Sequence, residues 1–261
     1  MVRIVAVIPA RMGSSRFPGK PLAPLLGRSM IEHVVRRTTM CNRLDAVYVA
    51  TCDDEIRSVV EGFGGNVMMT SGAHERASDR AAEAAEHLQA EIVVMIQGDE
   101  PMIIPSMIDA AIGPLLQDPS VMCVNLVRRI TRQEDYIDPN TIKVVMNIYG
   151  DGLYFSRAPI PAIDFARVAY SPVFKQVCVI PFRRNFLCEF ARLAPTPLEQ
   201  AESIDMLRVL EHGGRVRLVE TETDTHAVDT PEDLRFVETL MRDDPFTQQY
   251  SGSVISRAER I

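Results

Sequence analysis

Three apolar runs stand out in the N-terminal part of the chain: RIVAVIP (3–9), AVYVAT (46–51) and EIVVMIQ (91–97). Each is rich in β-branched residues, as strands buried on both faces require. Helical patterns lie between them, at 29–37 before the second run, 54–62 after it and 78–88 before the third. Strand, helix, strand at this spacing predicts right-handed crossovers and a mainly parallel sheet of the α/β class.

The C-terminal half is less regular. Residues 142–147 and 152–156 read as paired strands, with Gly150 available for the turn. The spacing predicts a helix over 199–211 and a strand over 215–220. A last helix has a defined start: Thr230 as N-cap, Pro231 at the first helical position, then Glu232 and Asp233. No Pro/Gly/Ser-rich or like-charged stretch serves as a linker, so residues 1–261 are expected to form a single domain.

Composition narrows the function classes. With 46% hydrophobic and 24% charged residues the chain has enough apolar material for a full core. A net charge of −7 and the lack of a basic run argue against a nucleic acid partner or an anionic lipid surface. No stretch reaches the roughly 18 apolar residues of a membrane span, so no membrane insertion is expected. The five cysteines are scattered without metal-ligand spacing, which suits free thiols in a reducing cytoplasm.

Candidate chemistry begins directly after the first strand. The loop Ala10-Arg11-Met12-Gly13-Ser14-Ser15-Arg16-Phe17-Pro18-Gly19-Lys20-Pro21 combines small residues with three cations, which suits a polyphosphate. Five residues separate Gly13 from Gly19, and Pro21 follows Lys20, so the loop is neither a Walker motif nor a GxGxxG turn. A nucleotide site and a surface loop with scattered charge both remain open at this point. Asp99, in Gln97-Gly98-Asp99-Glu100-Pro101, follows the third strand at the carboxyl edge, where open α/β sheets bind ligands. Asp229 precedes the last helix, where a metal-binding and a purely capping role both stand. Two aspartates on separate elements suit Mg2+, which takes one or two protein carboxylates and completes its shell with water and phosphate. His74-Glu75 is followed by Ser78 where a zinc-protease motif needs histidine, and no DxD triplet of a glycosyltransferase follows a suitable strand.

Taken together, IPARMGSSRFPGKPL (8–22), QGDEPMI (97–103), DPNTIKVV (138–145), YFSRAPIP (154–161) and VDTPEDL (228–234) resemble the CMP-KDO synthetases, the 3-deoxy-manno-octulosonate cytidylyltransferases. The resemblance spans nearly the whole chain. It implies a nucleotide-diphospho-sugar transferase-like three-layer sandwich with a mixed, mainly parallel sheet. It also implies a homodimer, with residues 130–180 at the subunit contact and on the acceptor side. The implied activity is Mg2+-dependent transfer of CMP from CTP to a 3-deoxy-2-keto sugar acid. A neuraminate-like acid and a non-catalytic nucleotide-binding relative are the alternatives. By position, Arg11, Lys20, Asp99 and Asp229 would be catalytic, with Asp99 and Asp229 ligating Mg2+. Ala10, Arg11, Ser14, Lys20, Arg80, Gln97 and Asp99 would contact CTP, and Gln97, Arg157, Gln176 and Asp205 the sugar acid.

The chain departs from the family pattern in three segments. An HQSGTDR-like segment reads HERASDR (74–80), an HLGIY-like segment reads QVCVI (176–180), and a Glu-Gln pair becomes Asp205-Met206. Fewer polar groups then face the sugar hydroxyls, so a modified acceptor is expected.

Overall fold

The computed structural model describes residues 2–13, 16–164 and 173–250. Ser14 and residues 165–172, part of the segment expected at a subunit contact, lie outside the described residues.

The N-terminal half alternates as the apolar pattern predicts. Strand β1 is Ile4–Pro9; a two-residue hairpin, β2 (Pro24–Leu25) and β3 (Arg28–Ser29), leads into helix α1 (Met30–Thr39). Then come β4 (Ala46–Thr51), α2 (Asp54–Gly62), β5 (Asn66–Met69), α3 (Ala77–Glu86) and β6 (Ile92–Ile96). Helix α4 (Pro105–Gln117), β7 (Val124–Arg129), the short α5 (Gln133–Ile137), β8 (Lys143–Met146) and β9 (Gly152–Ser156) follow. The remainder is β10 (Phe174–Val177), β11 (Val179–Arg183), α6 (Arg184–Arg192), α7 (Pro197–Glu202), α8 (Met206–Glu211), β12 (Arg217–Glu220), α9 (Pro231–Met241) and α10 (Pro245–Tyr250).

The strands form two five-stranded sheets, ordered β11-β6-β1-β4-β5 and β12-β7-β10-β8-β9. In the first, β6, β1, β4 and β5 pair in parallel and only β11 is antiparallel. In the second, β12 pairs with β7 in parallel and every other pairing is antiparallel. The expected α/β architecture is present, with most of the antiparallel pairings gathered in the second sheet. The two sheets meet at a corner, where Cys123 bridges Phe182 and the Arg183 amide donates to Met122 O at 2.9 Å.

Alternation along β1 explains the layers. Ile4, Ala6 and Ile8 pack with Ile31, Val34 and Val35 of α1, Ile56 and Val60 of α2, and Ile108 and Ile112 of α4. Val5 and Val7 point the other way, into a cluster with Ala81, Ala84 and Ala85 of α3 and Leu187 and Phe190 of α6. Successive strand side chains face opposite sides, so one fully buried run serves two helical layers.

One expected helix is two. The predicted helix over 199–211 breaks into α7 and α8 because Ser203 adopts a left-handed conformation, φ 56°. The expected strand over 215–220 is confined to β12, while β8 and β9 pair antiparallel as the pattern implies.

The C-terminal helices are tied to the loop after β6 by one side chain. Arg37 of α1, 1% exposed at its side chain, donates to Ile103 O at 2.7 Å, Met102 O at 3.2 Å and Asp244 Oδ2 at 2.6 Å, and it stacks on Phe246. Arg37→Ala strands a half-buried carboxylate and two carbonyls. The expected loss, read by urea unfolding, is about 3–5 kcal/mol.

Candidate active site

Backbone geometry fixes the basic loop. The Ala10 amide donates to Ala50 O at 2.9 Å, the Met12 amide to Asp53 Oδ2 at 2.8 Å, and the Gly19 amide back to Met12 O at 3.1 Å. Gly19 has φ +73°, a conformation glycine adopts without the penalty a side chain incurs. Lys20 then opens a single 3₁₀ turn, Lys20–Leu22, in place of the α-helix that follows a Walker lysine.

Asp99 arrives from β6 and Asp229 from the start of α9. Gly98 lets the two strands' ends come close: an added Cβ would lie 3.2 Å from Pro9 O and 3.3 Å from the Ile31 side chain. The Asp229 amide donates to Asp233 Oδ2 at 3.0 Å, and Asp233 also closes the capping box with Thr230. The two segments are hydrogen-bonded to each other, Val228 N to Asp99 O at 2.9 Å.

Lys20 joins all three pieces. Its ammonium donates to Asp99 Oδ2 at 2.7 Å, Val228 O at 2.8 Å and Asp229 Oδ1 at 3.5 Å. Burial works against the charged ammonium, yet the neighbouring carboxylates more than offset it and the Lys20 pKa is raised. Arg16 reaches Asp229 Oδ1 at 3.1 Å and also pairs with Asn140, linking the loop to the second sheet's segment. Two aspartates from distant parts of the chain thus converge on one cation. Their oxygen donors fit Mg2+, and no cluster of three or more His, Cys, Asp or Glu able to cage a metal occurs among the described residues.

These groups line a cavity of about 670 Å³ that collects nearly every residue named from the sequence. Ala10, Arg11, Lys20, Arg80, Gln97, Asp99, Arg157, Gln176, Asp205 and Asp229 all border it; Ser14 is outside the described residues. Their engagement differs. The side chains of Arg11 and Gln97 make no hydrogen bond or ion pair with the described residues and face the cavity unengaged. Arg80 is buried and donates to Thr70 Oγ1 at 2.5 Å. Gln176 Nε2 donates to Asn125 Oδ1 at 2.5 Å. Arg157 Nε donates to Glu202 O at 2.8 Å, and its amide to Glu202 Oε2 at 2.8 Å. Ile180 and Met206, buried members of the core, border the cavity as well.

Several cavity residues escaped the sequence reading. Arg132, Lys175 and His226 border it without belonging to any motif, and Arg76, which lies in the HERASDR segment but is given no role by the sequence, borders it too; only the fold brings them there. Lys143, in the DPNTIKVV block, is fully buried and donates to Asp138 O at 2.7 Å, Thr141 O at 2.6 Å and Arg157 O at 2.6 Å, fixing the Asn140 loop.

Glu100, next to Asp99, is a buried acid with one job visible. Burial first, and the charge of Asp99 second, push its pKa up to about 8, against a hydrogen bond from the Cys178 amide that lowers it. Its Oε2 has no partner among the described residues. A carboxyl whose folded pKa lies above its unfolded value contributes stability fully present below about 4.5 and lost as pH rises through about 8. Glu100→Gln therefore flattens the fall in Tm across that window in metal-free buffer; a parallel fall in both proteins would contradict the assignment.

A family model described as cytidylyltransferase matches residues 5–253. The chain is 47% identical to a 3-deoxy-manno-octulosonate cytidylyltransferase of Geobacter metallireducens, over 92% of this chain and 99% of the relative. It is 46% identical to one of Geobacter sulfurreducens, over 90% and 98%. Among solved structures, a CMP:2-keto-3-deoxy-manno-octonic acid synthetase complexed with CTP superposes with a TM-score of 0.85 at 38% identity, covering 92% of this chain and 98% of that one. A 4-diphosphocytidyl-2C-methyl-D-erythritol synthase from Anaerococcus prevotii shares the fold at a TM-score of 0.62 and 16% identity. The basic loop, the paired aspartates and this similarity over almost the whole length agree: the chain belongs to the 3-deoxy-manno-octulosonate cytidylyltransferase (CMP-KDO synthetase) family.

Proposed function

We propose that the protein transfers CMP from CTP to the anomeric hydroxyl of a 3-deoxy-2-keto sugar acid, KDO or a KDO-like acid, and releases pyrophosphate. The observation that carries this reading is the convergence of Asp99 and Asp229 on Lys20 at the mouth of the basic loop. The relatives' shared name and the CTP complex of the similar structure support the choice of substrates.

In-line attack on the α-phosphorus asks little covalent work of the protein; position and charge neutralisation supply the rate. Asp99 and Asp229 would hold Mg2+, which when bound neutralises phosphate oxygens and acidifies a bound hydroxyl. Arg11, exposed and with no side-chain partner among the described residues, is poised to take phosphate charge, and Lys20 adds a second cation beside it. Gln97 offers a free amide to either substrate. Neutral Glu100 spares the site a third negative charge beside the two aspartates.

On the acceptor side, Gln176 is committed to Asn125, and Ile180 and Met206 present no polar group. That favours a sugar acid with fewer or altered hydroxyl contacts. We further propose a homodimer acting in the cytoplasm; no helix among the described residues is long and apolar enough to cross a membrane.

Pyrophosphate release measured across four nucleoside triphosphates and a panel of keto-sugar acids, with and without Mg2+, tests the reading. CTP, a KDO-type acid and the metal should all be required. Asp99→Asn and Asp229→Asn should each lower kcat by about 10²–10³-fold while the chain stays folded, as read by circular dichroism. Near-normal turnover of Asp99→Asn would overturn the assignment.

A further inference from the structure

The corner between α7 and α8 is where two departures from the family pattern touch. Asp205 Oδ2 accepts from Ser78 Oγ at 2.6 Å, and Asp205 Oδ1 accepts from Arg76 Nη1 at 3.2 Å. Residues 74–80 and 205–206 are far apart in sequence, yet their altered members meet in one ion pair and one hydrogen bond.

The local structure explains why α3 needs that carboxylate. Its N-cap is Arg76, in an extended conformation, and no side chain caps it. Arginine has no acceptor, so it cannot take the first-turn amide hydrogens as Ser, Thr, Asp or Asn would. Negative charge near a helix N-terminus stabilises it; α3 has Asp79 in its own first turn, and Asp205 adds a carboxylate from another element. A second link lies behind the first. Arg208 donates to Glu199 at 2.6 Å and pairs with Asp79 of α3 at 3.2 Å, while Arg76 also reaches Ser203 Oγ at 3.2 Å.

The same corner serves the other wall. Arg157 is held by Glu202, whose carboxylate also accepts from Ser156 Oγ at 2.7 Å. Within one short turn, then, Glu202 holds the Arg157 strand end and Asp205 holds the start of α3. His74, Glu75, Arg76, Ala77 and Arg80, all at or near that start, line the cavity.

We infer that Asp205 is a positioning residue for the nucleotide wall of the site, acting through Arg76 and Ser78, and is not a ligand of the sugar acid. The inference rests on the cytidylyltransferase reading above, with Arg80 on the CTP side. Both carboxylate oxygens of Asp205 are spent on α3, so its loss loosens the wall that carries Arg80 and leaves the Arg157–Glu202 contact in place.

The test separates the two substrates. CTP binding is measured by calorimetry on the full chain, and KM for KDO at saturating CTP is measured in parallel. Asp205→Asn and Ser78→Ala should each weaken CTP binding by about 5–20-fold. The double variant should be no more than about twofold worse than the weaker single variant, because both act through one contact. KM for KDO should stay within about twofold of the parent, at the precision such comparisons allow. A raised KM for KDO with CTP affinity intact would overturn the inference and make Asp205 a direct acceptor ligand; so would CTP losses that multiply in the double variant. Should Asp205→Asn not fold, Ser78→Ala reads the same outcome with one hydroxyl removed. Failure of the parent protein to bind CTP would instead sink the proposed function, and this inference with it.

Discussion

One ammonium group organises the centre of the molecule. Lys20 neutralises two aspartates that arrive on different elements, and it also hydrogen-bonds the carbonyl between them. Without a cation there, Asp99 and Asp229 would be like charges brought together with nothing to offset them, which disfavours their both being ionised. Every other feature of the site is arranged around this constraint. Gly98 lets the end of β1 lie close, Glu100 stays protonated near neutral pH, and Arg16 shares Asp229 Oδ1 with Lys20.

The cation's position also gives the cavity its polarity. Lys20 is partly buried and committed, whereas Arg11 is exposed and its side chain has no partner among the described residues, so the loop offers an incoming anion a positive charge backed by a held one. A polyphosphate entering this region meets preset charges and little reorganisation, the condition under which electrostatic stabilisation is most effective.

How much of this was legible in the sequence depended on whether the signal was local. The strands β1, β4 and β6 are continuous apolar runs, and their limits follow within a residue or so from the pattern. Thr230-Pro231-Glu232-Asp233 spells a helix start, and the capping box is there. Asp99 and the basic loop stand at strand ends, where fold topology predicts ligands. The break at Ser203 was not legible, because nothing in 199–211 forbids a continuous helix; the left-handed residue is selected by tertiary contacts to Arg76 and Arg157. The second, mainly antiparallel sheet was equally hidden, since β10 is short and the pairing of β7 with β10 and β12 is long-range. Residues such as Arg132 and Lys175 carry no motif; their place at the cavity exists only once distant segments touch.

The Asp233 carboxylate has a double attachment with a wider consequence. It accepts from the amides of Thr230 and Asp229 together, so the lock that starts α9 also sets the orientation of a residue proposed to meet the metal. Fold maintenance and chemistry share a single hinge pin. If Asp229 holds the metal as proposed, rewriting that helix start to strengthen the protein would retune the reaction at the same stroke.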